Sequence, residues 1–122
     1  MTDPHTSIAE TFSDLGFEQL TAGSPAEAAS SFRAAIAADP VHFKAHQGLI
    51  RSLRDAGRLE QSVAAALALT ALTPHDPLAH TALSISLHHA GHVPEAQAAV
   101  ARARVLEWKI ELQSSPQEEP LQ

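Results

Sequence analysis

Residues 15–40 read LGFEQLTAGSPAEAASSFRAAIAADP, and the punctuation inside this stretch sets the architecture. Gly23 separates two segments whose apolar residues recur at helical spacing. A glycine there can adopt the left-handed conformation that ends a helix without steric penalty. Pro25 falls in the first turn of the next helix, where a backbone N–H would lack a partner anyway, and Pro40 stops that helix. The stretch reads as helix, glycine turn, helix. Working outward, Gly57 and Gly91 follow Gly23 at successive intervals of 34 residues, and Pro74 follows Pro40 at the same interval. An unbroken period of this length is the mark of stacked helical repeats.

Six helices are predicted, over about 8–22, 25–38, 43–56, 59–72, 77–90 and 94–112. Ser7-Ile-Ala-Glu10 and Ser24-Pro-Ala-Glu27 have capping-box spacing and are expected to start the first two, and Asp76 before Pro77 is expected to cap the fifth. Hydrophobic residues make up 44% of the 122 and aromatics only 4%, so small side chains, mostly Ala, must do the packing between closely approaching helices. An all-α fold is expected.

The first repeat, residues 9–42, carries Phe12, Leu15-Gly16, Gly23, Ala28, Phe32, Ala35 and Pro40, and with this pattern the sequence resembles the tetratricopeptide repeat family. The second repeat, 43–76, keeps Leu49, Gly57 and Pro74 but has Ser62, Ala66 and Leu69 at three of the family positions. The third, 77–112, keeps Leu83, Gly91, Ala96 and Ala103, with Trp108 where the terminal Pro should stand. The resemblance implies a right-handed superhelical α-solenoid of three helix-turn-helix units with an extended last helix. Residues 1–8 are expected to form a flexible N-terminus and 113–122 a disordered tail. The family's groove, lined by the first helix of each pair, commonly holds a peptide or helix of another protein. In some members a carboxylate clamp of Lys, Asn and Arg holds acidic tails, but Ser13, Phe17, Leu78 and Ala82 occupy its places here.

Several function classes are excluded or disfavoured. A formal charge of -6 repels a phosphate backbone, so no nucleic-acid partner is expected. With no Cys, thiolate chemistry and cysteine-based metal sites are ruled out. The most apolar stretch, Val63 to Ala71, is far short of the roughly 20 residues that cross a bilayer. No membrane partner is expected, and with no basic-then-apolar leader the expected compartment is the cytoplasm. There is no HExxH, no phosphate-cradling loop and no nucleophile elbow, so no enzyme activity and no cofactor are expected. His88, His89 and His92 come closest to a metal site, yet lack a third ligand of assured proximity; no metal is assigned. His46 and His80, 34 apart, are expected to pack as half-buried residues at the bulky site held by Phe12 in the first repeat.

The candidate binding residues follow from helical spacing. Lys44, Gln47, Arg51, Arg54 and Arg58 form one continuous stripe opposite Ala45, Leu49, Ile50, Leu53 and Ala56. Because the apolar side must enter the core, the cations face outward, and the family resemblance implies that they face the groove. Arginine there suits a carboxylate, which it can bind through two parallel hydrogen bonds. Phe17 and Leu20 in the first repeat, and Leu78, Ile85 and His88 in the third, occupy the corresponding stripes. The expected ligand is a protein or peptide with an acidic centre and apolar flanks. The alternative is a self-assembling scaffold. The last helix runs on through Val105, Leu106, Trp108, Ile110 and Leu112 with apolar residues on two sides, so one side can cover the third repeat while the other meets a second copy in a homodimer.

Overall fold

The computed structural model describes residues 3–114. Its helices are α1 (Pro4–Thr21), α2 (Pro25–Ala38), α3 (Phe43–Asp55), α4 (Leu59–Leu72), α5 (Pro77–His89) and α6 (Val93–Ser114), with no strand among the described residues. Each helix packs on the next. In addition the backbones of α1 and α3 and of α3 and α5 come close, whereas those of α2 and α4 and of α4 and α6 do not, and α2 reaches α4 only through Arg33 Nη2, which donates to Gln61 Oε1 at 3.3 Å. The first helices of the three pairs therefore close ranks on the inside of a curve while the second helices splay apart on its outside. This is a right-handed superhelical solenoid of three helical hairpins.

The 34-residue punctuation is backbone geometry repeated. Gly23, Gly57 and Gly91 have φ of 80°, 76° and 85°. At each, two hydrogen bonds close the helix end: Gly23 N donates to Leu20 O and Ser24 N to Gln19 O, with Gly57 and Arg58, then Gly91 and His92, repeating the pair. The proline turns repeat as well, His42 N donating to Asp39 O and Asp76 N to Thr73 O. The third repeat has no such turn, and α6 runs unbroken for 22 residues.

Two of the three expected caps differ from expectation. Asp3, not Ser7, caps α1, accepting from His5 N at 3.0 Å, because Pro4 is better suited than Ile8 to a first helical turn. Residues 4–8 are thus the opening of α1 rather than a flexible lead. Ser24 does occupy the cap position of α2, but its hydroxyl makes no capping bond, so the expected capping box is not formed. Asp76 caps α5 as expected, accepting from Leu78 N at 3.0 Å. At the other end Gln113 and Ser114 belong to α6, and the rest of the expected tail lies outside the described residues.

Two core clusters share α3. One gathers Ala9, Ala28, Ala29, Phe32, Ala35, Ala45, Leu49 and Leu53, and the other Ile50, Val63, Ala66, Leu69, Ala79, Leu83, Leu87, Ala96 and Ala99. The first centres on the fully buried ring of Phe32, which slots between two glycines; a Cβ on Gly16 would lie 2.7 Å from it, and one on Gly48 2.3 Å. One repeat later the bulk changes sides, with Ala66 replacing the phenylalanine and Ile50 replacing Gly16, both buried. The second repeat departs from the family pattern by compensation, keeping volume roughly constant.

Polar groups in the interior fix the register. Ser62 Oγ donates to Ile50 O at 3.1 Å and lies 2.6 Å from Ser86 Oγ, tying α3, α4 and α5 together. His46 Nε2 is 2.8 Å from Pro40 O and His80 Nε2 2.9 Å from Pro74 O, so each ring holds the proline turn that precedes its helix. His46 is buried and His80 half-buried.

Candidate functional site

The middle inner helix carries the expected cationic stripe. Lys44, Gln47, Arg51 and Arg58 are exposed and Arg54 is half-buried, while Ala45, Leu49, Ile50 and Leu53 on the opposite side are in the core. Among the described residues, one carboxylate alone comes within ion-pair distance of these cations: Asp55 Oδ2, 3.7 Å from Arg51 Nε, one helical turn along α3. An exposed pair of this kind contributes about 0.3–0.5 kcal/mol, little enough for a ligand carboxylate to displace it.

The neighbouring inner helices frame this stripe differently. Between α1 and α3 lies a cleft of about 460 Å3 lined by Glu10, Ser13, Asp14, Phe17, Asp39, Val41, His42, Phe43 and Lys44. Phe17 and Lys44 therefore share one cleft. The Phe17 ring stands edge-on to Phe32, 4.8 Å between centroids, so its inner edge is fixed by the core while its outer edge faces the cleft. Leu20 is half-buried against the Phe32 cluster, an anchor more than a contact surface. Glu10, which helical spacing places on the first-repeat stripe corresponding to the cations of α3, lines the same cleft as Lys44. So does Asp14, one turn further along α1, which sequence reasoning missed although its spacing of four from Glu10 was the available signal. Val41 and Phe43, apolar and exposed on either side of His42, were missed because they flank the proline turn instead of lying in a helical stripe.

On the third repeat, Leu78 is 62% exposed at the start of α5. Ile85 and His88 do not join the α1–α3 cleft. They line a separate cavity of about 630 Å3 with Ser84, His89, Val93, Ala96, Gln97, Val100, Ala101 and Arg104, formed between α5 and α6 at the end of the array. The reason is topological: among the described residues no inner helix follows α5, so the side that α3 and α1 bury against a neighbour stays bare. The inner wall thus runs from acidic α1, through cationic α3, to α5, which has no Asp, Glu, Lys or Arg.

Of the residues expected at a self-association surface, Leu106 is buried with Ala96, Ala99 and Ala103 and faces this chain's own core. It is not available to a second copy. Val105, Trp108, Ile110 and Leu112 are all exposed, and beyond Leu106 every described residue of α6 is. The histidines stay apart as well. His92 Nε2 turns to Glu60 Oε1 on α4 at 2.7 Å, and the His88 and His89 rings stand edge to face, 6.4 Å between centroids. Among the described residues no three His, Asp or Glu side chains converge as a metal site would require, and no helix is long and apolar enough to cross a membrane.

A tetratricopeptide repeat profile matches residues 14–77 and again 48–106. No curated protein matches the chain in sequence. Among solved structures, one of MamA superposes with a TM-score of 0.80 at 20% identity, covering 96% of this chain and 63% of its own. The Yersinia enterocolitica type III secretion translocator chaperone SycD, in an alternative dimer, gives 0.75 at 19% identity over 88% of this chain and 85% of its own. A chain of the CopN-Scc3 complex gives 0.73 at 21% identity, over 92% of this chain and 61% of its own. The chain spans 59% to 63% of the length of the MamA chains it matches. At these identities the likeness is one of fold.

Proposed function

This chain belongs to the tetratricopeptide repeat family, and from that premise we propose that it is a non-enzymatic module holding a partner protein's peptide or helix, one with acidic and apolar residues, against the inner wall of α1, α3 and α5. The observation that carries this is the stripe of Lys44, Gln47, Arg51 and Arg54, exposed or half-buried on the middle inner helix of a chain whose net charge is -6. A surface that attracts anions against the repulsion of the whole molecule concentrates its attraction locally, which suits an acidic segment and no larger polyanion. Phe17, Val41 and Phe43 on one flank and Leu78 on the other supply apolar contact. Glu10 and Asp14 disfavour acidic residues at the α1 end, so the ligand's carboxylates belong over α3. The kinship in fold with a secretion chaperone and with a member of a protein complex supports a protein partner.

Two synthetic amphipathic peptide libraries, identical except for Asp and Glu against Lys and Arg at their polar positions, test this by panning over the protein. The acidic library should enrich, and Arg51→Glu with Arg54→Glu should lower the affinity of selected peptides by about 10-fold or more. Equal enrichment of both libraries, or binding that survives the double reversal, refutes the proposed site.

A second reading rests on Val105, Trp108, Ile110 and Leu112, exposed apolar residues at the end of α6. They suit a scaffold that self-associates through that helix.

A further inference from the structure

We propose that two copies of this chain pair through the outer face of α6, antiparallel, about a two-fold axis that crosses the helix between Leu106 and Glu107. This deepens the second reading above by fixing the surface, the register and the charge pairs.

Ala101, Val105, Trp108 and Leu112 follow one another at intervals of four, three and four, so they form a single stripe along the helix. That stripe lies opposite Ala96, Ala99, Ala103 and Leu106, which enter the core. All four stripe residues are exposed, Val105 by 41%, Trp108 by 62% and Leu112 by 61%. The stripe is symmetric about its own middle. In an antiparallel pair centred there, Val105 meets the partner's Trp108 and Ala101 meets the partner's Leu112, a small residue beside a large one at each level. The two-fold axis makes every such contact twice, as an isologous interface must.

The charges on one edge agree with the same register. Arg104 and Glu111 flank the stripe on one edge, and antiparallel pairing brings Arg104 beside the partner's Glu111 at both ends of the contact. On the other edge, equally far from the stripe, the same two-fold brings Arg102 beside the partner's Lys109 at both ends, a like-charge pairing that opposes the contact and helps keep it weak. A shift by one residue or one turn loses both the size matching and the ion pairs.

The ends of the array do not compete as a self-association surface. Stacking one copy on another in continuation of the repeat would place Glu18 where Ser52 and Ser86 are fully buried, against another copy's Ala96. That would strip a carboxylate of water with no partner for it. The α6 contact spans three turns, about 16 Å. Two such segments bury less than the roughly 1,200 Å2 of a stable complex, so the dimer is weak and concentration-dependent, with dissociation in the micromolar range.

Trp108 is the chain's one tryptophan and sits next to the proposed axis, so its emission reports the contact directly. Sedimentation of the full chain from about 5 to 500 µM should show monomer passing to dimer, with a parallel blue shift of tryptophan emission. Arg104→Glu and Glu111→Arg, made singly, should each raise the dissociation constant about 10-fold or more, and combined should return it to near the original value. Far-UV circular dichroism confirms that each variant is folded. A chain that stays monomeric throughout overturns self-association itself, and with it the second reading. A dimer indifferent to both single reversals and to Trp108→Glu retains self-association but overturns this face. Weakening by the single reversals without rescue in the double overturns the register.

Discussion

Replacing Gly48 with Ala tests the packing on which the inner wall depends. In the interior of a helix this exchange ordinarily stabilises by about 1 kcal/mol, because glycine gives up more backbone freedom on folding. Here the new Cβ would stand 2.3 Å, 2.4 Å and 2.7 Å from Cζ, Cε1 and Cε2 of Phe32. A comfortable carbon contact is roughly 3.5–4.0 Å, so the ring must withdraw by more than 1 Å. It cannot withdraw toward α1, since the space above Gly16 is equally tight, with the same ring 2.7 Å from a Cβ built there. Overpacking of a held ring costs about 2–3 kcal/mol, which exceeds the helix gain and leaves a net loss of about 1–2 kcal/mol. In thermal unfolding followed by circular dichroism this corresponds to a drop in Tm of about 4–8 °C. Phe32→Leu introduced together with Gly48→Ala should recover part of the loss, because a smaller side chain frees the volume the Cβ needs. A Gly48→Ala protein as stable as the parent, or more so, would show that Phe32 is not wedged between the two helices and would refute this account of the core.

Asp76→Ala should destabilise by about 1 kcal/mol in urea titration, whereas Ser24→Ala should change stability by only a few tenths, since Asp76 makes a capping bond and Ser24 makes none. Gly57→Ala should cost about 1 kcal/mol with nothing for the new methyl to strike, the whole effect arising from φ of 76°; equal stability would count against the helix-ending geometry. Arg51→Glu with Arg54→Glu should leave the unfolding free energy from urea titration within about 0.5 kcal/mol of the parent, because the one ion pair lost is exposed, so that any loss of peptide binding reports the surface and not unfolding.

The fold was legible where the backbone itself makes a local demand. Gly23, Gly57 and Gly91 end helices because their φ is positive, and Pro40 and Pro74 open turns because proline fixes φ, so a period in the sequence became a period in space. The capping boxes misled because four residues can match a pattern that a nearby competitor satisfies better, as Asp3-Pro4 does for α1. Gly48 was silent for a different reason. Its meaning lies in Phe32, sixteen residues away on another helix, and helical spacing cannot reveal which side chain occupies the space a missing Cβ leaves. The cationic stripe was legible because one side of α3 had to be apolar. What faced it was not: Asp14 and Phe43 reach the cleft through the packing of α1 against α3, and Ile85 lines the end cavity because no inner helix packs over α5 among the described residues.

The first and last of the described hairpins carry residues that differ from their interior counterparts. Ala45 and Ala79, buried against the preceding helix, correspond to an exposed Thr11, and the buried Ser52 and Ser86 correspond to an exposed Glu18. At the other end, Ala29 and Val63 are buried where Gln97 is exposed, and the half-buried Ile36 and Thr70 give way to Arg104. A repeat array with interior-like ends would bind another copy head to tail, and that contact never closes, so chains would grow into filaments. Glu18 is the strongest single barrier, because Ser86 at the equivalent interior position is completely buried beside the Ser62 hydroxyl, and a carboxylate there would be desolvated without a donor. Thr11→Ala, Glu18→Ser and Gln97→Val together restore the interior residues at both ends. The triple variant should sediment as a ladder of species that lengthens with concentration and does not plateau at two copies, while Gln97→Val alone should not polymerise. If the triple variant shows the same species as the parent, these polar residues are not what prevents head-to-tail stacking of copies.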